Sequence, residues 1–297
     1  MLNLRRTVAK HGALRRVVVP VYRLYARAHR FSPGSRVLVN SMPKAGTHLV
    51  TSLLEQFPDL MFSGQHHSFR HFEPADAPPP DQVTELRVDW RRLERALASV
   101  NRGQWMTGHF SAEPRLLAML NQLDYKIVSI IRDPRDVAVS SVFYFTGLKR
   151  HYLYEDFNAN LKTMDERLMA VIKGLPPTST RRGLGDIAHR IRRYTLWLEN
   201  PSTYGCRFEQ LVGARGGGTL AEQREEIRRL GNHIDRPLSD DEIDAVASKT
   251  WSTRASTFRK GRIGDWRNHF SDEHIAAFKE IAGDQLIALG YEQDNDW

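Results

Sequence analysis

The sequence predicts an α/β domain, on three observations. An apolar run at residues 37–39 reads as a buried strand. It passes at once through a Pro43-Lys44-Ala45-Gly46 turn into an apolar-periodic helix over residues 47–57. A second buried strand, residues 126–131, runs into Asp133-Pro134, an N-cap followed by proline at the first helical position. The chain has 297 residues, 41% of them hydrophobic, which is enough to bury one large core.

The elements follow in chain order. Residues 1–30 hold eight of the 43 cations and no acidic residue, so the other 35 cations balance the 35 acidic residues of the remaining chain. The net charge of +8 is therefore a property of the arm, which argues against a protein-wide nucleic-acid surface. Three readings of the arm stay open: contact with an anionic membrane surface, an Arg-rich transit segment, or a docked helix with a solvated basic face. Pro20 is expected to break or kink a helix there. The expected division is a basic extension over 1–31 and a catalytic domain over 32–297. Residues 74–82 read as a loop, 83–100 as an amphipathic helix, and 104–107 as a strand that leads to His109. Residues 213–218 (GARGGG) read as a flexible connection, followed by helices over 221–230, 240–248 and 274–289. No internal repeat is seen.

The first strand–turn–helix carries chemistry. Such a turn leaves free N–H groups at a helix start, and with the helix dipole these make an anion site. Lys44 adds a full charge, and Gly46 lets a ligand approach the backbone. The nucleotide-triphosphate loop GxxxxGK[ST] is absent, because Lys44 precedes the glycine and Ala45 follows it. The ligand expected at such a turn carries phosphate or sulfate, with no clear case for magnesium–ATP; the alternative is an ordinary βα turn with a solvated lysine. Arg132 ends the second strand, and Ser140 lies about two helical turns further on. A guanidinium and a hydroxyl so placed can converge on one phosphate; the alternatives are an ion pair of Arg132 with Asp133 or Asp136, and an ordinary helix serine. Residues 258–270 (FRKGRIGDWRNHF) supply Arg259, Lys260 and Gly261 as further phosphate contacts, with Trp266 and Phe270 as anchors. Here the alternative is a solvated basic loop.

PKAGTH, IRDPRDVAVSS and RKGRIGDWRNHF, in that order, resemble the cytosolic-type sulfotransferase family over about residues 36–291. The resemblance implies a P-loop NTPase-like central parallel sheet with helices on both faces. It implies 3′-phosphoadenosine-5′-phosphosulfate (PAPS) as donor. The first segment, with Lys44, Ala45, Gly46, Thr47 and His48, would hold the 5′-phosphosulfate. Arg132, Ser140 and the Arg259-Lys260-Gly261 run would hold the 3′-phosphate. Sulfuryl transfer needs in-line positioning, charge on the leaving oxygen and removal of the acceptor proton, by analogy with phosphoryl transfer. Lys44 suits the leaving oxygen. Of twelve histidines, His109 is the expected base: the family has a catalytic His at a similar strand end, although Gly108 stands where Thr is usual. His48 is its rival. His66, His67 and His71 lack companions at ligand spacing, so an acceptor-side loop or plain surface is expected and no metal.

Several positions depart from the family. Leu49 stands where many members stack Trp on adenine; Trp251 is the candidate replacement, beside Thr250, which matches a family Thr. Phe208-Glu209-Gln210 replaces Tyr-Glu-Asp. The dimer motif of animal members is largely absent over residues 267–276, which leaves the oligomeric state open. Residues 147–186 would cover the acceptor, with Tyr152, Tyr154 and Phe157 as pocket or core residues. The single Cys206 excludes an internal disulfide and is consistent with a reducing, cytoplasmic compartment, with peripheral membrane contact through residues 1–30 as an added expectation. The acceptor is a small molecule, carbohydrate or lipid; no nucleic-acid partner is expected. Two rival functions remain: a nucleotide-dependent phosphotransferase on the same fold, and a non-enzymatic basic adaptor for lipid or nucleic acid.

Overall fold

A computed structural model of the protein describes residues 12–28, 34–77, 87–250 and 260–297. Five strands, β1 (Arg36–Ser41), β2 (Met61–His67), β3 (Gln104–Gly108), β4 (Tyr125–Ile131) and β5 (Thr203–Arg207), form one parallel sheet in the order β2-β3-β1-β4-β5. The helices are α1 (Gly12–Ala28), α2 (Thr47–Leu54), α3 (Trp90–Ala98), α4 (Pro114–Gln122), α5 (Pro134–Gly147), α6 (Met164–Lys173), α7 (Ile187–Thr195), α8 (Phe208–Leu211), α9 (Leu220–His233), α10 (Asp240–Thr250) and α11 (Asp272–Ala288).

Strand alternation sorts the core onto two faces. Val37 and Val39 pack with Val50 and Leu53 of α2, Leu230 of α9 and Val246 of α10. Leu38, pointing the other way, packs with Leu93 and Leu97 of α3 and Leu116 and Leu120 of α4. Helices thus cover both faces, as expected for a P-loop-like α/β fold. A third cluster joins α5, α6, α7 and α11. The chain leaves β1 on one side and returns through β4 on the other. That reversal opens a crevice at the carboxyl ends of β1, β3 and β4.

Some boundaries differ from expectation. The helix expected over 83–100 begins at Trp90, where the Asp89 carboxylate accepts from the Arg92 N–H at 3.0 Å; residues 83–86 lie outside the described residues. β2 replaces the loop or plain surface expected around His66 and His67; its polar, glycine-bearing sequence shows no alternation to betray a strand. The GARGGG segment is a packed 3₁₀ turn rather than a flexible connection. The Gly216 carbonyl accepts from the Ile263 N–H at 3.0 Å, so the turn holds the late glycine-rich segment.

The arm docks. α1 runs through Pro20 as one helix and lies on the edge strand β2. Tyr22 donates to the Phe62 carbonyl at 2.9 Å and Arg23 Nε to the Gly64 carbonyl at 3.1 Å, which satisfies groups an edge strand would leave open. Buried Gln104 donates to the Ala26 carbonyl at 2.6 Å. The docked-helix reading therefore describes residues 18–28.

A Cβ at Gly216 would run into Val212 and reach within 2.8 Å of the Gly261 carbonyl. Gly216→Ala should cost about 1–3 kcal/mol of stability by overpacking, read as a lower urea midpoint; an unchanged midpoint would mean that the turn yields freely.

Candidate functional site

The lysine turn takes its shape from two left-handed residues, Lys44 (φ 76°) and Gly46 (φ 122°). A Cβ at Gly46 would lie 2.8 Å from Phe208 Cδ2 and 2.9 Å from Ile130 Cδ1, so only glycine fits. The Ala45 N–H donates to Met42 O at 3.1 Å, and Leu49 N–H to Gly46 O at 2.8 Å, which starts α2. The first N–H groups of α2 have no intrahelical acceptor. The Ala45 side chain is buried, so that residue offers only backbone. Lys44 Nζ sits 4.6 Å above the Tyr144 ring. Thr47 Oγ1 is 2.6 Å from Ser41 Oγ.

His109 stands at the end of β3 beside that turn. Its Nδ1 lies 2.8 Å from the Ser41 carbonyl. A carbonyl only accepts, so Nδ1 carries the proton and Nε2 keeps its lone pair. Burial and then nearby Lys44 lower its pKa against the opposing Ser41 bond, so it is neutral at pH 7. Buried Asn40 pins the following loop: its Nδ2 donates to Phe110 O and its Oδ1 accepts from Phe110 N, both at 2.9 Å. Gly108 replaces the family threonine for a steric reason, since a Cβ there would lie 2.7 Å from Phe110 Cδ2. His48 is exposed at the cleft edge; the cleft walls, then Lys44 and His109, push its pKa down.

Arg132 and Ser140 lie in the same cleft. Arg132 is 8% exposed, and its guanidinium stacks 4.2 Å from the Phe208 ring. Its Nη2 contacts Asp136 at 3.4 Å and the Arg262 carbonyl at 2.8 Å. The ion pair weighed as an alternative therefore exists. It does not exhaust the group, because Arg132 Nε is buried with no hydrogen-bond partner. Lys260 and Gly261 line the cleft, with Lys260 Nζ 3.0 Å from Asp265 Oδ1. Thr250 lines it too, but its hydroxyl donates to Val246 O at 2.8 Å, which leaves only acceptor capacity. Trp251 and Arg259 lie outside the described residues.

Lys44, Gly46, Thr47, His48, His109, Arg132, Ser140, Thr250, Lys260 and Gly261 wall one cleft of about 1670 Å³, so three stretches far apart in sequence meet. Further residues complete it: His66 and Tyr152, which the sequence placed only as acceptor-side loop or plain surface and as pocket or core, and Tyr194, which it did not single out. His66 packs edge-on to His109, ring centroids 5.0 Å apart, and its Nδ1 contacts Thr107 Oγ1 at 2.8 Å. Tyr194 donates to the His109 carbonyl at 3.5 Å. Tyr152 lines the cleft, whereas Phe157 is core. Asp136 accepts the Gly264 and Trp266 N–H groups, each at 2.9 Å, and so ties the late segment to α5. Only the charge pattern of RDPRD hinted at this. Among the described residues no group of three or more His, Cys, Asp or Glu is placed to hold a metal ion, and no helix is long and apolar enough to cross a membrane.

Comparison with known proteins agrees with this architecture. The sequence profile of the sulfotransferase domain matches residues 34–290. Cytosolic sulfotransferase 10 of Arabidopsis thaliana is 24% identical over 283 residues, covering 86% of this chain and 79% of the relative. Among solved structures, a mouse sulfotransferase complexed with PAP superposes with TM-score 0.55 at 19% identity, covering 89% of this chain and 88% of the other. Retinol dehydratase in complex with androsterone and inactive cofactor PAP gives 0.54 at 16% identity, covering 89% and 85%. At these identities the structural likeness is one of fold.

Desolvation by the surrounding walls disfavours the charged form of several histidines in and around the cleft: the pKa of His66 falls to about 3, and those of His67 and His151 to about 4. Below the unfolded value of about 6.5 the unfolded chain binds more protons than the folded one. The stabilisation is full above about pH 6.5 and drains as pH falls toward those values. The melting temperature should therefore drop on acidification from pH 7 to 4, and less steeply in His151→Phe. A level profile would show that these rings charge freely in the fold.

Proposed function

The chain belongs to the sulfotransferase domain family, and from that premise we propose that it moves a sulfuryl group from PAPS to a hydroxyl or amine of a small-molecule, carbohydrate or lipid acceptor, with His109 as general base. The observation that carries this reading is the shared cleft of Lys44, His109, Arg132, Ser140, Lys260 and Gly261. One feature fits a doubly phosphorylated nucleotide: the buried Nε of Arg132, which has no hydrogen-bond partner. PAPS supplies the activated sulfuryl group and a phosphate leaving group.

His109 Nε2 takes the acceptor proton while the Ser41 carbonyl holds Nδ1–H and fixes the ring. Lys44 and the first N–H groups of α2 stabilise charge that develops on the leaving oxygen. Arg132 and Ser140 hold the 3′-phosphate together with Arg259, Lys260 and Gly261. Ala45, Thr47 and His48 frame the 5′ side through the backbone at the start of α2. Thr250 and Trp251 are the residues assigned to the adenine; Leu49 and Phe208, both in the cleft wall, offer the apolar surface that a family tryptophan would supply.

His109→Ala should lower kcat by about 10²–10⁴-fold while adenosine 3′,5′-bisphosphate (PAP) still binds. The same calorimetry, run with magnesium–ATP, tests the phosphotransferase rival: tighter binding of ATP than of PAP would end the sulfotransfer reading. Normal turnover in His109→Ala would move the base to His48.

Residues 32–297 carry the transfer in this reading, in the cytoplasm, and residues 1–31 add membrane contact. The support is the outer face of α1, where Val21 and Leu24 are 61% and 69% exposed on an arm with eight cations and no acid. The protein should float with phosphatidylglycerol vesicles and not with phosphatidylcholine ones. Val21→Ser with Leu24→Ser should abolish flotation and leave PAP binding intact; undiminished flotation would remove the membrane role.

A further inference from the structure

Beyond His109 the cleft wall turns cationic. Arg70, Arg150, Arg190 and Arg193 all line it, and none forms an ion pair among the described residues. The acid beside them in the wall, Glu73, is already taken by Arg182 at 2.7 Å. Asp186 lies near Arg190, but its Oδ1 accepts from the His189 N–H at 2.7 Å, and no ion pair joins it to Arg190. This part of the cleft therefore carries a standing excess of positive charge.

The cations converge. The Arg70 guanidinium lies 4.5 Å from the Tyr152 ring centroid. Arg190 acts on both Tyr152 and Tyr194, and Arg70 and Arg193 act on Tyr194 as well. Tyr194 in turn donates to the His109 carbonyl, so the cluster adjoins the candidate base. Arg190 is half-buried; its Nη2 donates to Val171 O at 2.8 Å, yet its Nε is shut off from solvent with no partner. Burial lowers its pKa to about 10, which marks a guanidinium short of stabilising contacts.

A part-buried cation without a carboxylate is costly unless a ligand completes it. Guanidinium forks match carboxylate, phosphate and sulfate-ester oxygens. We propose that the acceptor carries an oxyanion of its own, which docks on Arg70 and Arg190 beside Tyr152 and Tyr194 and so presents the acceptor hydroxyl to His109. This rests on the sulfotransfer reading and narrows its acceptor to anionic hydroxyl compounds. Neutral hydrophobic acceptors would leave these guanidinium groups desolvated and unpaired.

The test uses the full-length protein saturated with PAP, so that the donor site is filled. Two matched probes are titrated by calorimetry: 4-nitrophenyl glucoside and 4-nitrophenyl glucuronide, which differ in one carboxylate. The glucuronide should bind about tenfold tighter, with the preference falling as salt rises. Arg70→Gln, an exposed position that should not disturb folding, and Arg190→Gln should each reduce the preference, with PAP affinity unchanged. A second arm, run on the Val21→Ser, Leu24→Ser protein so that α1 does not bind the vesicle, compares phosphatidylglycerol with diacylglycerol in phosphatidylcholine vesicles; a preference confined to that arm assigns the oxyanion to a lipid headgroup. Equal binding of both members in both arms, no binding of any probe, or a preference that survives both substitutions would overturn the proposal. Failure of PAP to bind would instead sink the donor reading, and the two variants would still report on this wall.

Discussion

The site depends on one buried carboxylate. Asp136 is 1% exposed, sits in the first turn of α5, and gathers three parts of the chain. Its oxygens accept from the Gly264 and Trp266 N–H groups and face the Arg132 guanidinium. Burial raises its pKa; Arg132 and the two N–H groups oppose that and keep the charge worthwhile. The Arg262 carbonyl, held at the same turn, receives Arg132 Nη2, which leaves Nε aimed at no protein atom. The same contact thus fixes the late segment in space. A neighbouring clamp reinforces it: Arg135 pairs with Asp133 and Glu292 and lies between the rings of Trp266 and Trp297, 4.2 and 4.4 Å from their centroids.

A second constraint acts on the other side of the cleft. β1 supplies both the turn that carries Lys44 and the groups that orient His109. Asn40 pins the loop after β3, and the Ser41 carbonyl sets the imidazole tautomer. Because β1 is paired to β3 and β4 at once, Lys44, His109 and Arg132 are referenced to a single central strand. Parallel pairing delivers all three to one end of the sheet, where the crevice opens.

The acceptor wall follows a different logic. Arg190 and Arg193 come from α7, and Arg70 from the turn after β2. α7 is held by its apolar face, Ile187, Ala188 and Ile191, in the core, so its arginines are carried to the cleft by packing rather than by the strand ends.

Much of this was legible in the sequence for a physical reason: local rules govern it. The strand–turn–helix with Lys44 and Gly46, the Asp133-Pro134 cap and the apolar strands at residues 37–39 and 126–131 each follow from neighbours within a few positions. So the donor-binding motifs, and through them the family, were readable before any coordinates. The tertiary structure alone decided the rest. β2 shows no alternation of apolar and polar residues and its edge is satisfied by the distant α1, so neither its existence nor the placement of His66 against His109 could be read locally. GARGGG looked flexible, yet its glycines are there for close approach to the segment around Gly261. The tautomer of His109 and the unpaired state of Arg190 both depend on partners from distant elements, and such contacts exist only once the chain has folded.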